Sequence, residues 1–146
     1  MDKHSMPHVK ALMTAFPLHI DNQASIGEAQ QLMRDNGVHH LVVTRKEGGF
    51  SLLSERELQH HRAIYGSDTD SPLLVDDICT EEAVCADIND PVDRILDIMA
   101  ERHLGSVVIL REAELAGIFT TTDACRHFAK HLRKQFGHDD IPDLTA

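Results

Sequence analysis

The residues best placed to do chemistry stand where an apolar run gives way to polar sequence. Gly117-Ile118-Phe119-Thr120-Thr121-Thr122-Asp123 sets a threonine three residues ahead of a carboxylate. Thr120 suits an N-cap and Asp123 the third helical position, so a helix starts here. The unpaired N–H groups of such a terminus attract anions, phosphate included. Ser54-Glu55-Arg56-Glu57 is built alike from serine and glutamate, a capping box that needs no ligand to explain it. Histidine is abundant, and the eleven side chains together could add up to +11 of charge on mild acidification. His127 and His131 have the i, i+4 spacing of a metal pair, but no third ligand and no HExxH glutamate goes with them. That pair and His60-His61 read as solvated helix faces, and no metal is expected. Cys79, Cys85 and Cys125 are an odd number without a CxxC, which argues against a disulfide framework and for a reducing compartment. No nucleophile elbow, P-loop or GxGxxG stretch occurs, so catalysis is not expected.

The elements that must hold these residues come in two copies. Sliding the chain by 66 positions lays 9–66 on 75–132 without a gap. Only eight of these 58 positions are identical, Val9/Val75, Thr14/Thr80 and Val42/Val108 among them, which is weak by itself. The match of residue class is stronger: Leu12/Ile78, Leu18/Val84, Ile26/Val92, Leu41/Val107 and Leu53/Phe119 keep apolar on apolar. Each copy reads as a lead-in (VKALMT, VDDICT) and a brief strand, Leu18–Ile20 or Val84–Ala86. A helix follows, Ser25–Asn36 or Pro91–Arg102. Two strands come next, His40–Thr44 with Phe50–Leu53, and Ser106–Leu110 with Glu114–Phe119. A second helix closes each copy from Ser54 or Thr120. Ser25 with Glu28 predicts a capping box, and Asp90-Pro91 an N-cap followed by a first-turn proline. The expected fold class is therefore α+β, two β-α-β-β-α repeats. Residues 1–70 hold the first lead-in and repeat, 71–137 the second, and 138–146 a flexible tail.

Composition bounds what such a pair can do. The 146 residues are 42% apolar and 26% charged, which is globular, and 14 basic against 24 acidic residues give a formal charge of −10. That surface repels nucleic-acid backbones. The longest apolar stretches, such as Val107–Leu110, fall far short of the ~20 residues of a membrane span. MDKHSMPHVK lacks the apolar segment of a secretory signal, so no membrane partner and a cytoplasmic location are expected. A unit of about 60 residues with three short strands and two helices is marginal alone. The open face of each small sheet needs a cover, and the other copy is the nearest candidate. Two similar units packed about a pseudo-two-fold axis leave two equivalent clefts, the usual place for a small ligand.

This tandem order, with GIFTTTD opening the last helix, resembles a pair of cystathionine β-synthase (CBS) domains, the Bateman module, over roughly residues 6–136. GIFTTTD matches the family's G-h-h-T-x-T-D motif in full. VKALMT and VDDICT resemble its V-x-x-h-M-T element, and HHLVV and GSVVIL its central strand. The resemblance implies a regulatory, non-catalytic module sensing AMP, ADP or ATP, with S-adenosylmethionine a further candidate and no cofactor required. It implies that Asp123 accepts hydrogen bonds from both ribose hydroxyls, a task that suits an acceptor-only carboxylate. Thr120 and Thr122 would reach the ribose or phosphate. In the family the T-x-T-D of one repeat works with the lead-in and central strand of the other. Met13, Leu18, His39 and His40 would then complete this cleft, Leu18 beside the adenine and the histidines facing phosphate. The plainer alternative leaves Thr120 and Asp123 as a cap and the histidines as ordinary strand residues.

The second cleft departs from the pattern. In Ser51-Leu52-Leu53-Ser54-Glu55-Arg56-Glu57, serine replaces the glycine and the first threonine, arginine the second threonine, and glutamate the aspartate. Glu57 is longer than aspartate and would crowd a ribose. Ser54, Arg56 and Glu57 would face Cys79, Val84, Gly105 and Ser106 in a site that is weak, altered or empty. On the last helix Ala124, Phe128, Leu132 and Phe136 form a stripe that reads as packing, and Gly137 ends the helix. The resemblance adds a dimer surface on the second helix of each repeat. The expected molecule is a stand-alone homodimer that passes its signal to an unidentified protein effector. Two alternatives stay open: a structural protein-interaction module with vestigial nucleotide sites, and a histidine-based metal or pH sensor.

Overall fold

The computed structural model describes residues 5–66, 73–79 and 81–137, so the tail assigned to 138–146 lies outside the described residues. The chain opens with a 3-10 turn at Val9–Ala11 and a two-residue strand, β1 (Thr14–Ala15). The first repeat is β2 (His19–Asp21), α1 (Ile26–Asn36), β3 (His40–Thr44), β4 (Phe50–Ser54) and α2 (Glu55–Tyr65). A one-turn helix, α3 (Val75–Ile78), leads to β5 (Cys85–Asp87), α4 (Val92–Arg102) and β6 (Ser106–Arg111). The chain then completes β7 (Glu114–Thr120) and α5 (Thr121–Phe136). The first residues of β2, α1, β3 and α2 recur 66 positions later in β5, α4, β6 and α5, as a duplicated unit requires.

Local chemistry sets the boundaries. Reciprocal capping boxes start α1 at Ser25/Glu28, α2 at Ser54/Glu57 and α5 at Thr120/Asp123. Asp90 does not cap α4. Pro91 itself occupies the N-cap, and the Asp90 carboxylate instead accepts from Asp87 N at 2.9 Å, closing the turn ahead of the helix. The short strands begin one residue later than the apolar pattern suggests. Leu18 and Val84 give the ladder only their carbonyls, to Val42 N at 3.1 Å and Val108 N at 3.0 Å.

The strands form two sheets, β2-β3-β4 and β1-β7-β6-β5. Strand alternation gives each sheet two apolar faces. Leu41, Val43 and Leu53 pack with Ile26, Ala29, Met33 and Leu58, while Val107, Ile109 and Phe119 pack with Val92, Ile95 and Met99. The remaining faces cover each other through Val42, Val108 and Ile118, flanked by Phe50, Leu52, Leu110 and Leu115. Each repeat thus supplies the surface that the other lacks.

The lead-ins are exchanged between repeats. Val9 N donates to Asp90 O at 3.0 Å and Lys10 N to Ile88 O at 3.3 Å. Sixty-six positions on, Val75 N donates to Ala24 O at 2.8 Å and Asp76 N to Asn22 O at 2.9 Å. Val9 is buried in the core of the second repeat and Val75 in that of the first.

The exchange is symmetric except at one residue pair. β1 lies antiparallel on β7 with Ala15 opposite Gly117. A Cβ at Gly117 would fall 2.5 Å from Met13 Sδ and 2.8 Å from Thr14 O, so only glycine lets this lead-in become a strand. Its counterpart is Ser51, buried, whose hydroxyl donates to Glu81 O at 2.7 Å and accepts from Arg45 Nη1 at 3.1 Å. Arg45 also donates to Cys79 O at 3.1 Å and pairs with Glu47 at 2.7 Å, while buried Asn22 donates to Asp76 at 3.2 Å. The second lead-in is therefore held by a polar knot where the first is held by a strand.

The α5 stripe departs from expectation. Ala124 packs against the second core, but Phe128 is 62% and Phe136 73% exposed. The inward side of α5 runs instead through Asp123, Ala124 and His127, which leaves the aromatic residues outside. The solvated-histidine reading fails at two positions, one on each closing helix. His127 donates from Nε2 to Leu12 O at 3.1 Å, and its counterpart His61 is buried with its ring 4.9 Å from that of Tyr65. Gly117→Ala should cost about 1–3 kcal/mol by overpacking against the Thr14 carbonyl. A urea titration checks this as a lower midpoint with an unchanged slope.

Candidate functional site

Asp123 sits at the junction of the first lead-in with the second repeat and is 5% exposed. Oδ2 accepts from Thr120 N and Thr120 Oγ1, both at 3.0 Å, and Asp123 N donates back to Thr120 Oγ1 at 3.1 Å. Oδ1 is held differently. It accepts from Thr14 Oγ1 at 3.4 Å and from Arg126 Nη1 at 3.5 Å. Hydroxyl donors normally approach to about 2.5–3.0 Å, so these contacts are long. A buried carboxylate oxygen with such loose partners can take shorter hydrogen bonds from an incoming hydroxyl pair, because ionised it only accepts.

Met13, placed beside this carboxylate by the sequence, lies against Gly117 and the second core, next to Thr14. Thr120 is half-buried as the cap, and Thr122 is exposed on the first turn of α5. Leu18 packs against the first core. His39 and His40 adjoin the start of α2 in their own repeat. His39 Nδ1 stands 2.5 Å from Glu55 Oε2, and His40 is paired in register with Ser54. Thr14 and Arg126 were not singled out from the sequence. The one signal for them was position: Thr14 ends the VKALMT element, and Arg126 follows Asp123 by three residues on one helix face.

The opposite cleft has a volume of about 470 Å³ and is lined by Leu52, Glu57, Ile78, Cys79, Glu81, Glu82, Ala83 and Leu104. It joins the head of α2, the second lead-in and the residue before Gly105. Glu57 Oε2 closes its own capping box, accepting from Ser54 N at 2.8 Å. Arg56 is exposed beyond the cleft lining, Val84 packs against the second core, and Ser106 is buried opposite Thr120. Three carboxylates without a basic side chain in the lining oppose a phosphate there. The Cys79 thiol donates to Leu52 O at 3.4 Å and is pushed up to about 12 by burial and then by Glu57, so it stays protonated. Among the described residues no group of three or more His, Cys, Asp or Glu could hold a metal ion. No described helix is long and apolar enough to cross a membrane.

Two repeats face to face, with lead-ins exchanged and a capping carboxylate at the start of each closing helix, define a paired-repeat module. The chain belongs to the CBS domain family, whose model matches residues 9–58 and 75–130. Pairs of these domains are regulatory ligand-binding modules. Solved structures share the fold. An uncharacterized conserved protein from Pyrococcus horikoshii is 25% identical with a TM-score of 0.71, the match covering 98% of this chain and 100% of that one. A CBS-domain containing protein from Agrobacterium tumefaciens is 23% identical with a TM-score of 0.71, covering 86% and 96%. A CBS domain pair in complex with 5′-methylthioadenosine and S-adenosyl-L-methionine is 19% identical with a TM-score of 0.74, covering 87% and 99%. No curated protein matches the chain.

His40 is held below its ordinary 6.5, first by burial and then by neighbouring His39, with Glu57 opposing. The folded state therefore binds this proton less readily than the unfolded chain does. Stability contributed by neutral His40 should fall as pH drops through 6.5 toward the lower folded value. Denaturant midpoints between pH 7.5 and about 5 should show this acid limb, and His40→Gln should flatten it.

Proposed function

We propose that this chain is a non-catalytic regulatory module that binds an adenosine-containing ligand, AMP, ADP or ATP, against Asp123. S-adenosylmethionine is a further candidate. The observation that carries this reading is the buried Asp123 carboxylate, whose Oδ1 is held only by long contacts from Thr14 and Arg126. A ribose diol offers two adjacent hydroxyl donors to such a group, and Arg126 supplies a cation for the charged end. Thr120 and Thr122 would meet the ribose or phosphate, with Met13 and Leu18 on the apolar side and His39 and His40 toward phosphate. The acidic cleft at Ser54, Arg56 and Glu57, with Cys79, Val84, Gly105 and Ser106, would take phosphate weakly or not at all. The pair in complex with 5′-methylthioadenosine and S-adenosyl-L-methionine supports this ligand class. Three free thiols suit a reducing cytoplasm. Ligand displacing Thr14 from Asp123 would shift the first lead-in, and that movement is the signal passed to a protein effector. Calorimetry with AMP, ADP, ATP and S-adenosylmethionine tests the reading. Asp123→Asn should weaken binding by about 100-fold or more, since two hydrogen bonds to a charged acceptor are lost. Heat unchanged in that variant, or absent from the wild-type protein, would falsify it.

The exposed Ile64 and Tyr65 on α2, with Phe128 and Phe136 on α5, favour burial against a second copy. The chain should therefore sediment as a homodimer at micromolar concentration. Phe128→Glu should convert it to monomer without changing its melting curve by more than a few degrees. A wild-type monomer would leave these residues to a different protein, the interaction-module alternative.

A further inference from the structure

We propose that the groove between α1 and α2 of the first repeat is a binding site for a small organic anion with an apolar body, a carboxylate or a phosphate monoester. This goes beyond the adenosine reading and shares only His39 with it. The groove has a volume of about 300 Å³ and draws every lining residue from the first repeat, whereas the acidic cleft draws on both. Met33, Val38 and Leu58 make an apolar floor, Met33 and Leu58 being residues of the first core. Gln30 and Arg34 stand on the α1 side, Gln59 and Arg62 on the α2 side. One end is closed by His39 and Glu55, joined by their side chains and by Glu55 N donating to His39 O at 2.8 Å. The lining thus sets two guanidiniums against a single carboxylate, itself engaged with His39, on a chain of formal charge −10. A Cβ added at Gly37 would meet nothing within 4 Å, so the groove is open beside it.

The duplication supplies the comparison. At the offset of 66 the floor keeps its class, as Met99, Leu104 and Ala124, and the rim does not. Gln30, Arg34, Gln59 and Arg62 correspond to Leu96, Ala100, Cys125 and Phe128, so each long polar side chain meets an apolar or small one. The helix dipole does not account for the arginines. It favours a cation in the last turn, and α4 has its own at Arg102, which corresponds to Asn36 and not to Arg34. What the first repeat adds is one cation from each helix over a shared apolar floor. A guanidinium presents a planar fork of donors that fits a carboxylate or phosphate, and carboxamides donate to the remaining oxygens. A cavity of this size with an apolar floor and a few convergent polar groups suits a small ligand. Held by Arg34 and Arg62 together, that ligand would tie α1 to α2.

Benzoate and phenyl phosphate serve as probes in amide-resolved NMR titrations of the full chain, with neutral benzamide and inorganic phosphate as controls. Benzoate or phenyl phosphate should shift the amide signals of Gln30, Arg34, Gly37 and Gln59 saturably, and the tighter of the two identifies the head group. Arg34→Ala, which sets this exposed position to the second repeat's own alanine, should leave the melting curve unchanged. It should weaken the tighter probe by about 10-fold or more, the loss expected for a hydrogen bond to a charged group. Asp123→Asn should leave probe affinity unchanged, because Asp123 lies outside the groove. No saturable shift at these amides, or equal affinity in Arg34→Ala, overturns the proposal and leaves the Asp123 reading standing. Equal affinity for benzamide or for inorganic phosphate removes the charge or the apolar body from recognition and overturns it too. Shifts centred on Thr14 and Asp123 place the probe at the other site, with the same consequence. Shifts at Gln30 and Gln59 that follow protein concentration alone assign the groove to a subunit contact and also overturn it.

Discussion

The contact of Val42 with Val108 and Ile118 is the one on which the molecule depends, because neither sheet can cover both faces from its own repeat. Each sheet has helices on one side only, and the other side is as apolar as a core. Burying these faces against each other removes that surface from water and fixes the pseudo-two-fold relation at once. The clefts follow as a by-product. Where two twisted sheets meet, their ends splay, and the gaps receive the helix starts at Thr120 and Ser54.

Exchange of the lead-ins makes the pairing hard to undo. Val9 fills the core of the second repeat and Val75 that of the first, so separating the repeats would empty both cores. It also brings Thr14 to Asp123 across 109 positions of sequence. The carboxylate therefore serves two structural tasks at once, capping α5 and tying down the first lead-in. A ligand that engaged Oδ1, as proposed, would act on this tie and through it on the relation between repeats.

A single duplicated plan has diverged into two unlike clefts. Gly117 admits a strand, and the resulting β1 presents Thr14 to a short carboxylate. Ser51 occupies the corresponding space, and the second lead-in instead runs past it as a loop carrying Glu81 and Glu82. With Glu57 these residues give the opposite cleft a charge that opposes phosphate. Arg45 and Asn22 hold that loop, whereas their counterparts are Arg111, which is exposed, and Ile88, which is apolar and buried. The divergence lies in the docking of the lead-ins rather than in the repeats themselves.

Most of the fold was legible in the chain. Apolar spacing gave β3 and both long helices of each repeat, and the starts of α1, α2 and α5 followed from Ser25, Ser54 and Thr120 with an acid three residues on, which are strong local signals. The 66-residue offset gave the duplication, because residue class survives where identity does not. Local signals fell short at the histidines and the α5 stripe. His61 and His127 are inward and Phe128 outward, and periodicity finds a helix face without saying what covers it. The α4 cap was misread because Asp90 had a competing use in its own turn. The sequence by itself determined the repeat, its elements and the carboxylate at Asp123, all set by interactions within a few residues. Only the tertiary structure decided that the first lead-in docks as a strand and the second as a loop, and that Thr14 and Arg126 hold Asp123. Those facts arise from contacts between distant segments, whose partners depend on how two faces meet and not on any local preference.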